Sequence, residues 1–156
     1  MLNTTLCYIE RNNSYLMLHR IKKKNDINHD KWIGIGGKFE EHESPEDCVL
    51  REVYEETGLT LSSWRYCGII TFICDDYETE LMHLYSSDSF SGELQECDEG
   101  VLQWIPIEKI YDLPLWAGDK IFLKLMQQKQ DFFSLKVIYK GNTLVHAILN
   151  GKEKLV

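Results

Sequence analysis

The sequence predicts an α/β fold in which a mixed β-sheet lies between helices, and three observations support this prediction. Short β-rich segments recur along the chain and are separated by turn residues. Two well-separated segments carry the signals of long helices. The 156-residue chain is about the length of one domain, and no linker, repeat or low-complexity stretch divides it. We therefore expect a single domain over residues 1–156, built as an α/β/α sandwich.

The strands are predicted from runs of β-branched, aromatic and aliphatic residues. A turn at Arg11-Asn12-Asn13-Ser14 joins the first two strands, and Lys140-Gly141-Asn142 marks a closing hairpin. The predicted strands cover residues 4–10, 15–20, 32–37, 66–74, 80–86, 101–105, 132–139 and 143–149. Residues 21–31 and 87–100 are polar, and we expect them to be loops.

The first long helix is predicted between Ser44 and Gly58. Ser44 supplies a capping hydroxyl, Pro45 suits the first turn, and Gly58 is a natural stop. Val49 and Val53 form an apolar face that can dock on the sheet. A second long helix is expected at residues 118–130 and a short helical turn at 107–111.

The composition excludes several classes of protein. A net charge of −8 argues against a general nucleic-acid binder, which needs a basic face to neutralise phosphates. No apolar run approaches the length that spans a membrane, and the first residues lack a basic region followed by an apolar core. The five cysteines are scattered and form no CxxC pair, so we expect reduced thiols in a cytoplasmic protein.

Three carboxylates share one face of the first predicted helix. Glu52, Glu55 and Glu56 stand at positions i, i+3 and i+4. Because like charges placed in this way repel each other, the arrangement suggests a bound cation. Oxygen ligands without His or Cys favour a hard ion such as Mg²⁺ or Mn²⁺. A solvated acidic surface is the alternative for these three glutamates alone.

The surrounding residues favour the metal site. Residues 37–59 read GKFEEHESPEDCVLREVYEETGL and match the spacing G-x5-E-x7-R-E-U-x-E-E-x-G-U, where U is a bulky apolar residue. The matching positions are Gly37, Glu43, Arg51, Glu52, Val53, Glu55, Glu56, Gly58 and Leu59. This motif resembles the Nudix box, the catalytic loop–helix–loop of enzymes that hydrolyse nucleoside diphosphates linked to another group.

The resemblance implies a set of metal ligands. In the Nudix family the glutamates of the motif and a glycine carbonyl beside it bind the metal ions. The matching positions here are Gly36, Glu52, Glu55 and Glu56. Glu99, in the loop before a predicted strand, resembles a further acid that completes the site.

Two residues of the motif are expected to support these ligands. Arg51 suits the orientation of the glutamates, because a guanidinium can form bidentate salt bridges. Glu43 is expected to pair with Arg51 or to help orient the site. One of the three helix glutamates is expected to take a proton from the attacking water, and the sequence leaves open which one.

Within the family, the order of elements resembles the MutT-type oxidised purine nucleoside triphosphate diphosphatases. Residues 32–43 (WIGIGGKFEEHE) and 113–119 (LPLWAGD) carry this resemblance. It implies that Trp116 stacks on the purine and that Asp119 reads the edge of the base. Some relatives have an acid at the position of Gly118 and an Asn at that of Ile33, so one hydrogen bond to the base is missing or made elsewhere.

A basic cluster lies on the approach to the motif. Its members are Arg20, Lys22, Lys23, Lys24, Lys31 and Lys38. Such a cluster can attract an anionic substrate, and we expect Lys23 and Lys38 to contact it. A solvated basic loop is the alternative.

The resemblance implies hydrolysis of a nucleoside triphosphate to a monophosphate and pyrophosphate, with oxidised purine nucleotides such as 8-oxo-dGTP as substrates. Two alternatives stay open: a Nudix hydrolase of a nucleotide sugar or dinucleotide, and a non-catalytic module that senses a nucleotide. We expect the chain to be a monomer or a homodimer, without a nucleic-acid or membrane partner.

Overall fold

The computed structural model describes residues 1–156, and its centre is a mixed ten-stranded β-sheet. The strands are β1 (Leu2–Arg11), β2 (Ser14–His19), β3 (Trp32–Ile33), β4 (Ile35–Lys38), β5 (Thr60–Cys74), β6 (Glu80–Ser91), β7 (Val101–Pro106), β8 (Phe133–Lys140), β9 (Thr143–Leu149) and β10 (Glu153–Lys154). The helices are α1 (Pro45–Thr57) and α2 (Ala117–Gln127), with a 3₁₀ helix at Ile107–Asp112.

The strand order is β10-β9-β8-β5-β6-β1-β2-β3, with β4 paired to β1 and β7 paired to β2. The β1–β6 and β5–β8 pairs are parallel, and the other pairs are antiparallel. On the side away from β6, the first half of β1 pairs with β4 and its end pairs with β2. This change of partner places β4, the strand just before the motif, beside the middle of the sheet.

Each long helix covers its own apolar core. Val49 and Val53 of α1 are fully buried against one core, as their spacing predicted. Phe122, Leu123 and Met126 of α2 belong to a second and larger core. The helices and the sheet between them confirm the predicted α/β/α sandwich. No helix combines the length and the apolar composition needed to cross a membrane.

The ends of α1 follow the sequence signals closely. Ser44 and Asp47 form a reciprocal capping box, and Pro45 begins the helix. Gly58 ends it in the left-handed conformation, with φ at 79°. Helix α2 ends at Gln127, before the predicted residue 130, because Lys129 has a left-handed φ of 52° that the helix cannot continue through.

Two strands are longer than the sequence suggested. Strand β5 begins at Thr60, rather than residue 66, and β6 continues to Ser91, rather than residue 86. The two strands pair along this extension, but the ladder shifts register between Leu61 and Gly68. These irregularities interrupt the strict alternation of apolar and polar residues that a strand prediction relies on. Strand β10, with two exposed residues, carried no recognisable signal.

Candidate active site

Two glycines on β4 let its backbone approach both β1 and α1. A Cβ on Gly36 would lie 1.8 Å from the carbonyl oxygen of Thr5, and a Cβ on Gly37 would lie 2.4 Å from Cδ of Glu52. The backbone clash excludes a side chain at Gly36, and a side chain at Gly37 would require the Glu52 carboxylate to move. The two glycines therefore bring the β4 backbone next to the glutamates of α1.

Arg51 organises the acidic residues of the motif. Its Nε and Nη2 each donate to one carboxylate oxygen of Glu43 at 2.8 Å, which forms a bidentate salt bridge. Nη1 donates to Glu52 at 2.7 Å and to Glu55 at 3.2 Å. Nη2 also donates to the backbone carbonyl of Lys38 at 3.0 Å. One guanidinium thus ties the loop before α1 to the glutamates on the helix.

The bidentate pairing changes the titration of Glu43. The hydrogen bonds from Arg51 lower the pKa of Glu43 to about 2, although burial acts in the opposite direction. The same pair raises the pKa of Arg51, so both groups stay charged at any physiological pH. Glu43 therefore acts as the fixed counter-ion of Arg51.

Glu52 and Glu55 differ in their surroundings although both contact Arg51. Glu52 lines a cleft beside Gly36 and Gly37, and only 15% of its side chain is exposed. Burial raises its pKa, while the charge and hydrogen bond of Arg51 lower it in part. The Glu55 side chain is 55% exposed and lies outside the lining of the cleft.

Glu56 and Glu99 form a close pair of acids in the same cleft. Burial raises the pKa of Glu56 to about 9, and the hydrogen bond and charge of Glu99 add to the effect. Burial also acts to raise the pKa of Glu99, but the hydrogen bond from Glu56 and the charges of Arg20 and Lys23 lower it overall. The raised pKa favours the protonated form of Glu56, and the lowered pKa favours the ionised form of Glu99.

The basic loop between β2 and β3 holds Glu99 in place. Arg20 Nη1 donates to Glu99 at 2.5 Å, and its Nε donates to the buried carboxylate of Asp26 at 2.7 Å. Lys23 Nζ contacts the other oxygen of Glu99 at 3.2 Å. Lys23 also lines the cleft, as the sequence predicted for a substrate contact.

The donor set of this site suits a hard divalent cation. Glu52, Glu56 and Glu99 line one cleft with Gly36, and all of them offer oxygen ligands. Burial and the neighbouring acids raise the pKa of Glu56, and a bound cation would offset this concentration of negative charge. No three His, Cys, Asp or Glu side chains are arranged to hold an ion directly. Binding would require Glu52 and Glu99 to turn from their basic partners.

The cleft continues past these acids to an aromatic end. Its volume is about 760 Å³, within the range of small-molecule sites. The residues at this end include Ile27, Ile33, Phe72, Met82, Trp116 and Asp119. Lys38, on the strand between the two ends, lines it as well. One continuous cavity therefore contains four of the five predicted metal ligands, all except Glu55, and both predicted base-binding residues.

Trp116 is held rigidly at the aromatic end. The residue is 4% exposed, and its indole Nε1 donates to the side-chain oxygen of Asn28 at 2.7 Å. The rings of Phe72 and Tyr139 meet it edge-on at 5.1 and 4.9 Å between centroids. The Lys31 ammonium lies 4.2 Å from its ring centroid, in a cation–π contact.

Asp119 is the most deeply buried acid of the cleft. The residue is 4% exposed, and its carboxyl group makes no hydrogen bond within the chain. Burial raises its pKa to about 8, the charge of Glu80 adds to this, and Lys31 acts against it. At neutral pH the group is therefore mainly a protonated carboxylic acid, which can donate one hydrogen bond to a ligand.

The structure also shows three residues of the cleft that the sequence analysis did not identify. Asn28 fixes the indole, Phe72 packs against it, and Glu80 lines the cleft from β6. Nothing in the sequence distinguishes Asn28 from other polar loop residues. Glu80 did carry a signal, because it alternates with the inward-facing Met82 and Leu84, and an acid at such a strand position is unusual.

The comparisons with known proteins agree with this geometry. The NUDIX domain family matches residues 2–126. An oxidized purine nucleoside triphosphate hydrolase of Danio rerio is 40% identical over 135 residues, which cover 85% of this chain and 86% of the relative. A mouse protein of the same description is 33% identical over 111 residues, or 70% and 71% of the two chains.

Solved structures show the same fold. The MutT protein of Bacillus halodurans superimposes with a TM-score of 0.86 at 24% identity, and the match covers 98% of this chain and 100% of that one. The MutT protein of Methanosarcina mazei gives 0.72 at 24% identity, covering 82% of this chain and 94% of the other. The chain belongs to the Nudix family. Proteins of this family use a divalent metal ion.

The first prediction concerns the salt bridge between Glu43 and Arg51. The folded pKa of Glu43, about 2, lies below its ordinary 4.5. Its contribution to stability is therefore complete above about pH 4.5 and is lost as the pH falls towards 2. Glu43→Gln should lower the free energy of unfolding at pH 7 by roughly 1 kcal/mol, with a smaller difference near pH 3.

Urea unfolding at pH 7, 4 and 3 measures this effect. Glu40→Gln is the matched control, because Glu40 is 66% exposed and lies 3.6 Å from Arg51. An equal loss in both variants, or a loss independent of pH, would contradict the assigned role of Glu43.

Proposed function

We propose that this protein hydrolyses oxidised purine nucleoside triphosphates, releasing a nucleoside monophosphate and pyrophosphate. One observation carries the proposal: a single cleft joins the carboxylates of Glu52, Glu56 and Glu99 to the pocket of Trp116 and Asp119. A nucleotide needs both ends, one for its phosphates and one for its base. The Danio rerio and mouse relatives are described as acting on oxidised purine nucleoside triphosphates, which supports the same substrate class here.

The proposed metal ligands are the carboxylates of Glu52, Glu55, Glu56 and Glu99 and the carbonyl oxygen of Gly36, with Mg²⁺ or Mn²⁺ as the ion. When bound, a divalent ion neutralises phosphate charge and acidifies water. Glu52 and Glu56 already face the cleft. Glu55 would have to turn inwards from its contact with Arg51.

The chain's own residues position the reactants and move a proton. Glu52 and Glu56 are the helix carboxylates that face the cleft and could accept the proton of the attacking water, but Glu56, whose pKa is raised to about 9, could do so only after losing its own proton. Arg51 keeps Glu52 oriented and stays paired with Glu43 throughout. Lys23 and Lys38 line the path of the phosphates and offset their negative charge. Trp116 and Asp119 hold the base, so that the phosphoanhydride lies among the carboxylates.

The test of this function is pyrophosphate release from a nucleotide panel. We expect 8-oxo-dGTP to be hydrolysed with a higher kcat/KM than dGTP, dATP, a nucleotide sugar or a dinucleoside polyphosphate. Activity should disappear in EDTA and return with Mg²⁺ or Mn²⁺, because phosphates and carboxylates alone repel each other. Glu56→Gln should lower kcat at least about 100-fold with the fold intact.

Glu41→Gln serves as the control, since Glu41 is an exposed acid on the turn before α1. Full activity after exhaustive chelation would refute the metal-dependent mechanism. A preference for the nucleotide sugar or the dinucleotide would replace the proposed substrate class with another of the Nudix family. Absence of turnover with tight nucleotide binding would favour a sensing module.

A further prediction concerns the stacking residue. Trp116→Ala should raise KM for purine nucleotides about five- to 150-fold, because base stacking on an indole contributes ~1–3 kcal/mol. Trp116→Phe, which keeps a ring but loses the hydrogen bond to Asn28, should give a smaller increase. Steady-state kinetics measure both, and Trp64→Ala is the control because Trp64 is 39% exposed and lies outside the cleft. Equal effects at positions 64 and 116 would mean that Trp116 only supports the core.

Asp119 should lower the stability of the fold in a pH-dependent way. Its folded pKa, about 8, lies above the ordinary 3.8, so the folded state holds a proton that the unfolded chain releases between these values. The free energy of unfolding therefore falls as the pH rises from about 4 to 8. Asp119→Asn removes this buried charge and should be more stable than the natural protein at pH 9, with little difference at pH 4.

Thermal unfolding at the two pH values measures that difference. The same variant should also change the ratio of kcat/KM for 8-oxo-dGTP and dGTP, because a carboxyl group that contacts the purine edge discriminates between bases. A variant that is less stable at every pH and lowers both activities equally would show that Asp119 is structural.

A further inference from the structure

Ile33 and Gly118, two positions at which some relatives carry polar side chains, supply none to the base pocket. A purine presents both donors and acceptors along its edge. Asp119 provides one group, and Ile33 provides none. Gly118 has no room for a second acid, because a Cβ there would lie 2.7 Å from the Tyr139 hydroxyl and 2.9 Å from Cγ1 of Val137. A second polar contact must therefore come from another element of the fold.

Strand β6 supplies an acid at the right place. Glu80 is its first residue and stands opposite Phe72 of β5 in the ladder. Residues opposite each other in a ladder point to the same face of the sheet, so Glu80 lies on the side where Phe72 packs against Trp116. Glu80 lines the cleft together with Phe72, Met82 and Trp116.

Glu80 is oriented rather than freely solvated. The hydroxyl of Thr4, a buried residue on β1, donates to Oε2 of Glu80 at 2.7 Å. Oε1 makes no hydrogen bond within the chain and remains available to a ligand. Burial raises the pKa of Glu80, whereas the hydrogen bond from Thr4 and the charge of Lys38 act to lower it. Glu80 and Asp119 line the same cleft, and the charge of Glu80 acts to raise the pKa of Asp119.

We propose that Glu80 is the second specificity-determining acid of the base pocket and accepts a hydrogen bond from a purine N–H. This inference rests on the proposed function. Asp119 acts as the donor at a purine acceptor, and Glu80 acts as the acceptor, so the pair matches an edge with both kinds of group. Asp119 lies on α2 and Glu80 lies on β6. Together they take the role that two neighbouring acids, at the positions of Gly118 and Asp119, have in some relatives.

The chemistry of 8-oxoguanine gives the acceptor a discriminating role. Oxidation at C8 places a hydrogen on N7, which carries only a lone pair in guanine. A carboxylate facing N7 attracts the oxidised base and repels the ordinary one. Thr4 is a positioning residue in this scheme, because its hydroxyl holds Oε2 and leaves Oε1 without a partner in the chain.

The experiment compares Glu80→Gln and Thr4→Val with the natural protein. The first measurement is kcat/KM for 8-oxo-dGTP and dGTP. The second is the Kd of 8-oxo-dGMP and dGMP in EDTA, which reports on the base pocket without metal or hydrolysis. Glu80→Gln should reduce the preference for the oxidised base at least about tenfold in both measurements. Thr4→Val should reduce it less and in the same direction.

Asp88→Asn is the matched control. Asp88 is an exposed acid on the same strand, lies outside the cleft, and should leave both preferences unchanged when substituted. An unchanged preference in folded Glu80→Gln, or a change only in Asp119→Asn, would overturn the role of Glu80 and leave the proposed function intact. If Glu80→Gln does not fold, an unchanged preference in Thr4→Val overturns it. A natural protein that shows no turnover of either triphosphate would instead refute the proposed function.

Discussion

The arrangement of the site depends on the ion pair between Arg51 and Glu43. Helix α1 carries three glutamates on one face, and these charges would repel each other without a fixed cation among them. Arg51 contacts Glu52 and Glu55 and is itself held by the bidentate pair with Glu43. Since Glu43 lies in the loop before the helix, the same interaction also closes that loop onto α1. The helix can therefore present acids to the cleft before any metal ion binds.

Buried acids at both ends of the cleft lower the stability of the folded protein, and a bound ligand would offset this loss. Burial and the charge of Glu99 raise the pKa of Glu56, so that Glu56 is not readily ionised in its surroundings. Asp119 is held mainly neutral without a hydrogen-bond partner in the chain. Burying such groups unpaired destabilises a protein, so their presence indicates function rather than stability. A bound cation would stabilise the end of the cleft that contains Glu56 and Glu99. A ligand with hydrogen-bonding groups would stabilise the end that contains Asp119.

The sequence predicted the parts of this protein whose signals are local. The capping box at Ser44, the stop at Gly58 and the spacing of the α1 glutamates all depend on neighbouring residues, and the structure agrees with each. The contacts of Glu99 with Arg20 and of Asn28 with Trp116 join residues 79 and 88 positions apart. No local pattern encodes such pairs, and the assignment of Glu99 and Trp116 rested on resemblance to the family. Their roles in binding stay predictions.

The loop between β2 and β3 explains how an acidic protein can receive an anionic substrate. Arg20 and Lys23 face the acids at one end of the cleft, and Asn28 and Lys31 contact Trp116 at the other. The loop is closed on itself, because the backbone N–H of Arg20 donates to the carbonyl of Lys31 at 3.0 Å. Of its basic residues, Arg20 and Lys23 line the cleft, where their charges oppose the net charge of −8. One segment therefore contacts both ends of the cleft, and its role in substrate binding stays a prediction.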